Sequence, residues 1–143
     1  MIGARFNGPD GSANGGYTCG RIAELLGGSA EVTLRLPPPL ERALVVERDG
    51  DGFRVLDGET VIAEAIRDSV ELAVPDTPSW AEAEAAGARY PGFAQHAFPR
   101  CFVCGPEREP GDGLRVFAGP LGDGRFAATW TATEVRPDRK SVM

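Results

Sequence analysis

The chain has 143 residues, 42% hydrophobic and 25% charged, enough for one ordinary domain with a core and too few for two. Its formal net charge of −6 argues against a nucleic-acid binder, because neutralising phosphates needs a basic face. No apolar run approaches the roughly 18 residues of a membrane span and the start lacks a signal-peptide core, so a cytoplasmic protein without membrane partners is expected.

In chain order, Ile2 to Phe6 predicts a short edge strand. A turn-forming run, Asn7-Gly8-Pro9-Asp10-Gly11, leads into the stretch around which the rest is organised. There Tyr17, Ile22, Leu25 and Leu26 recur at helical spacing, and Gly27-Gly28 closes the pattern. The expectation is a helix from about Asn14 to Leu26, capped by Ser12 or Asn14. Gly15 and Gly16 at its first turn leave backbone N–H groups approachable at the positive end of the helix dipole.

The segment Ala30 to Leu36 alternates, with Val32, Leu34 and Leu36 on one face and Glu31, Thr33 and Arg35 on the other, as a half-buried strand does. Pro37-Pro38-Pro39 stops it. Strands follow at Ala43 to Arg48, Phe53 to Leu56 and Thr60 to Ile66, separated by Asp-Gly turns, and Asp68 to Val74 continues or bends away. Such a meander predicts an antiparallel sheet. The Asp-Gly pairs read as turns, since calcium loops need carboxylates at wider, fixed offsets.

Pro75-Asp76-Thr77-Pro78 marks a boundary, after which Ser79 caps a short helix from Trp80 to Ala86. A Pro- and Gly-rich segment from Tyr90 to Gly113 holds the single histidine, His96, and the pair Cys101-Phe-Val-Cys104. Leu114 to Phe117 and Phe126 to Trp130 then predict a hairpin, and Glu134 to Met143 a charged, frayed end. The apolar residues Phe53, Val55, Phe117, Phe126 and Trp130 are simplest as core, and sequence does not separate packing from a pocket lining. The expected division is residues 1–75 as a unit around the first helix, 76–112 as a linker with a short helix and the cysteine loop, and 113–132 as a hairpin that could begin a second unit.

Three cysteines, an odd number, argue against a disulfide framework. Cys101 and Cys104 have the spacing with which one turn offers two thiolates to a tetrahedral zinc. A structural site wants four ligands, and only His96 and Cys19 remain as candidates. Two reduced thiols and a redox pair are the other readings, although Gly105-Pro106 opposes the continuing helix of a thioredoxin-like site.

A Gly-capped apolar helix followed by a strand meander resembles the hotdog fold, an α+β architecture in which an antiparallel sheet wraps a central helix. Asn14-Gly15-Gly16 resembles the His-Gly-Gly signature of hotdog acyl-CoA thioesterases. Phe6 to Gly16, together with His96 to Gly105, is similar to an actinobacterial thioesterase-like family whose members carry two hotdog halves. The resemblance implies a protein that cleaves or binds acyl-CoA or a similar thioester as a homo-oligomer, with no required cofactor. It implies that the Gly15 or Gly16 N–H binds the thioester oxygen and that Tyr17 lines the pocket. A helix carboxylate would act as base or nucleophile, nine residues after the histidine in the family. Counted from Asn14 that position is Ala23, and Glu24 lies one residue further, about 100° round the helix. Asn14, in place of histidine, hydrogen-bonds but shuttles no proton at neutral pH. The plain alternatives are helix capping for Asn14-Gly15-Gly16, a solvent-facing position for Glu24, core packing for Tyr17 and a hydrogen-bonded loop for His96. At the level of the whole protein they are a non-catalytic acyl- or lipid-binding module and a zinc-stabilised structural protein.

Overall fold

Asn14 sets the start of helix α1 (Gly15–Leu26): its carboxamide oxygen accepts from the Tyr17 N–H at 3.0 Å. Gly27, at φ +66°, ends it in the left-handed conformation that glycine adopts without strain. Between the caps, Thr18, Ile22 and Leu26 fall four residues apart and form the buried stripe. The Thr18 hydroxyl satisfies itself on the Asn14 carbonyl at 2.8 Å, so its burial leaves no orphan polar group. The computed structural model describes residues 1–132, and the charged end expected from Glu134 to Met143 lies outside them.

The described chain is mixed α and β and divides into two compact units, one of residues 1–7 and 11–72, the other of residues 8–10 and 73–132. In the first, a four-stranded antiparallel sheet has the order β1-β4-β3-β2. Its strands are β1 (Ala30–Leu34), β2 (Val45–Asp49), β3 (Gly52–Asp57) and β4 (Thr60–Arg67). Gly50 and Gly58, both at positive φ, turn the two hairpins, as the Asp-Gly pairs predict. Helix α1 lies on one face of this sheet, where Ile22 and Leu26 pack with Val55, Ala63 and Ala65. Alanine at both β4 positions lets the helix approach closely. Each large side chain buried there stabilises the unit by roughly 1.5–3 kcal/mol. Along β4 the alternate residue Glu64 and, further on, Ile66 belong to the far face, as period-2 geometry requires.

A bulge interrupts β3 and β4: Val55 pairs with Ala63 but Leu56 with Val61, so Ile62 is the extra residue. Its carbonyl accepts from the N–H groups of Arg35 at 2.8 Å and Leu36 at 3.2 Å. The strand predicted over Ala30 to Leu36 therefore stops at Leu34, and Leu36 turns out to solvent instead of sharing the face of Val32 and Leu34.

The predicted edge strand at Ile2 to Phe6 is instead a 3-10 turn, Ala4–Phe6. Burial of the Phe6 ring against Tyr17 and a bond from Asn14 N–H to the Phe6 carbonyl at 2.7 Å outweigh extension. Residues 68–79 form no helix or strand.

In the second unit, α2 (Trp80–Gly87) begins with a reciprocal capping box between Ser79 and Glu82. Its buried residues, Ala83 and Ala86, face the short pair β5 (Gly119–Pro120) and β6 (Phe126–Ala127). A Cβ on Gly119 would collide with the Ala86 carbonyl, so glycine is required there. The hairpin predicted from Leu114 to Phe117 with Phe126 to Trp130 shrinks to this pair, because the Leu114 and Val116 N–H groups bond instead to the carbonyls of Phe102 and Val103. Phe126 and Trp130, expected in the core, are exposed. Phe117 instead joins Tyr90 and Phe93 in an aromatic cluster, with ring centroids 4.9–5.4 Å apart.

Candidate functional site

The start of α1 brings four of the predicted residues together. Asn14 is committed to capping, since its side chain holds the Tyr17 N–H and its carbonyl takes the Thr18 N–H at 2.9 Å. That leaves the N–H groups of Gly15 and Gly16, two of the four that a helix start cannot satisfy internally. The two glycines differ in reason. A Cβ on Gly15 would sit 3.3 Å from Leu34 Cδ1, so this residue permits close helix–sheet packing. Gly16 is exposed, and a Cβ there would meet only the Asn14 carboxamide oxygen at 3.5 Å. Packing therefore does not require glycine at position 16. Tyr17 is half-buried, its ring stacked on Phe6.

Glu24 is not part of this cluster. It stands eight residues beyond Gly16, about 12 Å along the helix axis. Its side chain is 64% exposed and pairs with Arg21 at 2.8 Å. No carboxylate at this position can reach a carbonyl held at the start of its own helix. A carbonyl bound there could meet Glu24 only from a second copy.

Two hollows were not anticipated from the sequence. One, of about 20 Å³, lies beside α1 and is lined by Thr18, Arg21, Ile22, Leu44, Val46 and Val55 among others, with almost wholly apolar walls. The other is a shallow depression of about 320 Å³ on the sheet face away from the helix. Cross-strand neighbours Glu47, Arg54, Glu64 and Thr33 run across that face, and Arg35 Nε donates to Glu64 at 2.7 Å. The alternation of Glu31, Thr33 and Arg35 was the signal for a polar outer face; which strands join it depends on the register. This larger hollow differs in chemistry from the helix start: Arg35 pairs with Glu64 across it, and Arg54 lies 3.6 Å from Glu47 and 3.5 Å from Asp49, its buried Nε without a hydrogen-bond partner among the described residues.

In the second unit the thiols of Cys101 and Cys104 lie 3.5 Å apart. Cys101 is buried and Cys104 half-buried. Burial raises the Cys104 thiol above its ordinary value, and the neighbouring Cys101 adds to the effect. Tyr90 donates its hydroxyl to the Cys104 carbonyl at 3.2 Å, and burial together with the ionisable Cys104 pushes its own pKa up to about 12. His96 does not join the thiols as a ligand: its Nδ1 accepts from the Phe98 N–H at 2.8 Å, which brackets the loop. Cys19, on α1, is also raised by burial. Among the described residues no group of three or more His, Cys, Asp or Glu side chains is placed to hold a metal ion.

Among the described residues no helix is long and apolar enough to cross a membrane. Comparison with protein-family models, curated proteins and solved structures returned no match.

Proposed function

We propose that the first unit is a hotdog-like module that receives an acyl thioester such as an acyl-CoA, working as a homo-oligomer in the cytoplasm. The observation that supports this reading is the pair of N–H groups, Gly15 and Gly16, without a hydrogen-bond partner among the described residues, at the start of a helix seated on an antiparallel sheet. The thioester oxygen would accept from one of these N–H groups. As attack on the carbonyl carbon makes that oxygen negative, the donor and the helix dipole stabilise it more than the ground state. One preorganised donor of this kind contributes about 3 kcal/mol in other acyl-transfer enzymes. Asn14 orients the turn and moves no proton. In a hydrolytic version the general base would be Glu24 of a second copy, activating a water.

A second reading, binding without cleavage, is favoured by the exposure of Glu24 and its pairing with Arg21. Thiol release from short, long and aromatic acyl-CoAs, measured beside equilibrium binding, separates the two. Turnover that vanishes in Gly16→Pro, which removes one bare N–H, supports the enzyme. Binding without turnover, weakened in the same variant, supports the module. Neither turnover nor binding overturns both.

A further inference from the structure

The thiol pair in the second unit stands on observations separate from the helix start. Two thiolates sharing a tetrahedral zinc at about 2.3 Å each lie roughly 3.8 Å apart. A disulfide would bring them to about 2.05 Å. The 3.5 Å between Cys101 and Cys104 is close to the first and far from the second.

The turn that presents them is built by the backbone. Gly105 N–H donates to the Cys101 carbonyl at 2.9 Å, and Cys101 N–H to the Phe98 carbonyl at 2.8 Å. A Cβ on Gly105 would lie 2.5 Å from both Cys101 N and the Pro99 oxygen, so no other residue fits. Glu107 N–H closes the loop on the Pro99 carbonyl at 3.0 Å, and Tyr90 ties down the Cys104 carbonyl. Both thiols are thus held at metal-sharing distance by main-chain bonds. Two ligands are half of a closed zinc site, and no third His, Cys, Asp or Glu joins them among the described residues.

We propose that Cys101 and Cys104 form a half-site for a thiophilic divalent cation of the zinc class, completed by the same pair from a second copy of the chain. One two-fold operation on a two-thiolate turn gives four thiolates, the number a structural zinc takes. Cys104 is the half-buried member of the pair and Cys101 the buried one. This inference does not depend on the acyl-thioester reading.

The test is zinc binding by the full chain, purified with a phosphine reductant, using Zn²⁺ alone in competition with a chromophoric chelator. Chain mass is followed by light scattering. The expected result is one zinc per two chains, with cobalt substitution giving the absorption of four thiolates. Binding is lost in the double variant Cys101→Ser/Cys104→Ser and kept in Cys19→Ser. Because Cys101 is buried, Cys104→Ser alone is run beside the double variant, with melting curves for both, and it too loses stoichiometric zinc. No zinc held against the chelator overturns the proposal. So does zinc retained by a folded Cys104→Ser variant, one zinc per chain on a monomer, or a Cys101–Cys104 disulfide that persists under reductant.

Discussion

The ring of Phe6 lies flat on the ring of Tyr17, with centroids 4.1 Å apart and planes within 5°. Phe6 is 4% exposed and also gives its carbonyl to the Asn14 N–H, so the N-terminal turn and the helix cap are fastened at one point. Phe6→Ala is expected to cost about 3–5 kcal/mol, the range for deleting a buried aromatic side chain. A double-mutant cycle with Tyr17→Ala should return a coupling of about 0.5–1.5 kcal/mol for the stack itself. Urea unfolding of the four proteins measures both. A coupling near zero would mean that the rings only share a hydrophobic site.

The two glycines of the first turn should respond differently to alanine. Gly16→Ala adds a methyl in ordinary contact with the Asn14 carboxamide oxygen, 3.5 Å away, and reduces the freedom of the unfolded chain, so it should stabilise by about 0.4–1 kcal/mol. Gly15→Ala brings a methyl to 3.3 Å from Leu34 Cδ1, and the shift forced on Leu34 should consume most or all of that gain. Denaturant midpoints for the two variants check the order. If Gly15→Ala is as stable as Gly16→Ala, close helix–sheet packing is not what glycine serves at position 15.

Much of the first unit was legible because it follows local rules. The cap and the left-handed stop of α1 come from Asn14 and Gly27, and the hairpins from Gly50 and Gly58, all short-range chemistry. The failures share a cause in tertiary bonding. Leu36 has the right alternation for a strand face, but the bulge at Ile62 captures its N–H and turns it outward. Leu114 to Phe117 reads as a strand, yet its N–H groups find the carbonyls of Phe102 and Val103, which no periodicity announces. Ile2 to Phe6 is apolar enough for a strand, but a ring stack with Tyr17 offers Phe6 more. At the candidate site, the sequence singled out Asn14, Gly15 and Gly16 as a helix start and Cys101 and Cys104 as a thiol pair. It could not show that the Asn14 carboxamide oxygen takes the Tyr17 N–H or that the thiols sit 3.5 Å apart.

The capping box of α2 should make the second unit acid-sensitive. Hydrogen bonds from the Ser79 hydroxyl and backbone N–H hold the Glu82 carboxylate below its ordinary value of 4.5. A carboxyl depressed in the folded state contributes stability that is present above the unfolded value and lost as pH falls through the folded one. The stability gap between wild type and Glu82→Gln should therefore be constant well above pH 4.5 and shrink progressively below it. Helix content and urea midpoints recorded from pH 7 downward test this. A gap independent of pH would show that the charge of the Glu82 carboxylate has no role in the cap.

Glu24 offers the cleanest separation of chemistry from folding. Its side chain is exposed and its ion pair with Arg21 spans one helical turn, an arrangement worth about 0.3–0.5 kcal/mol. Glu24→Ala should accordingly shift the unfolding midpoint by little, with alanine's helix propensity offsetting part of the lost pair. Any change in acyl-CoA turnover would then arise at the reacting carbonyl. Because Glu24 lies about 12 Å from Gly16 along its own helix, a catalytic Glu24 must act on substrate held by another copy. Mixing Glu24→Ala with Gly16→Pro should then restore part of the turnover that each lacks alone, since one shared site per mixed dimer keeps both groups. Complementation would place the reaction between two chains, and its absence, with mixed dimers demonstrated, would remove Glu24 from the reaction.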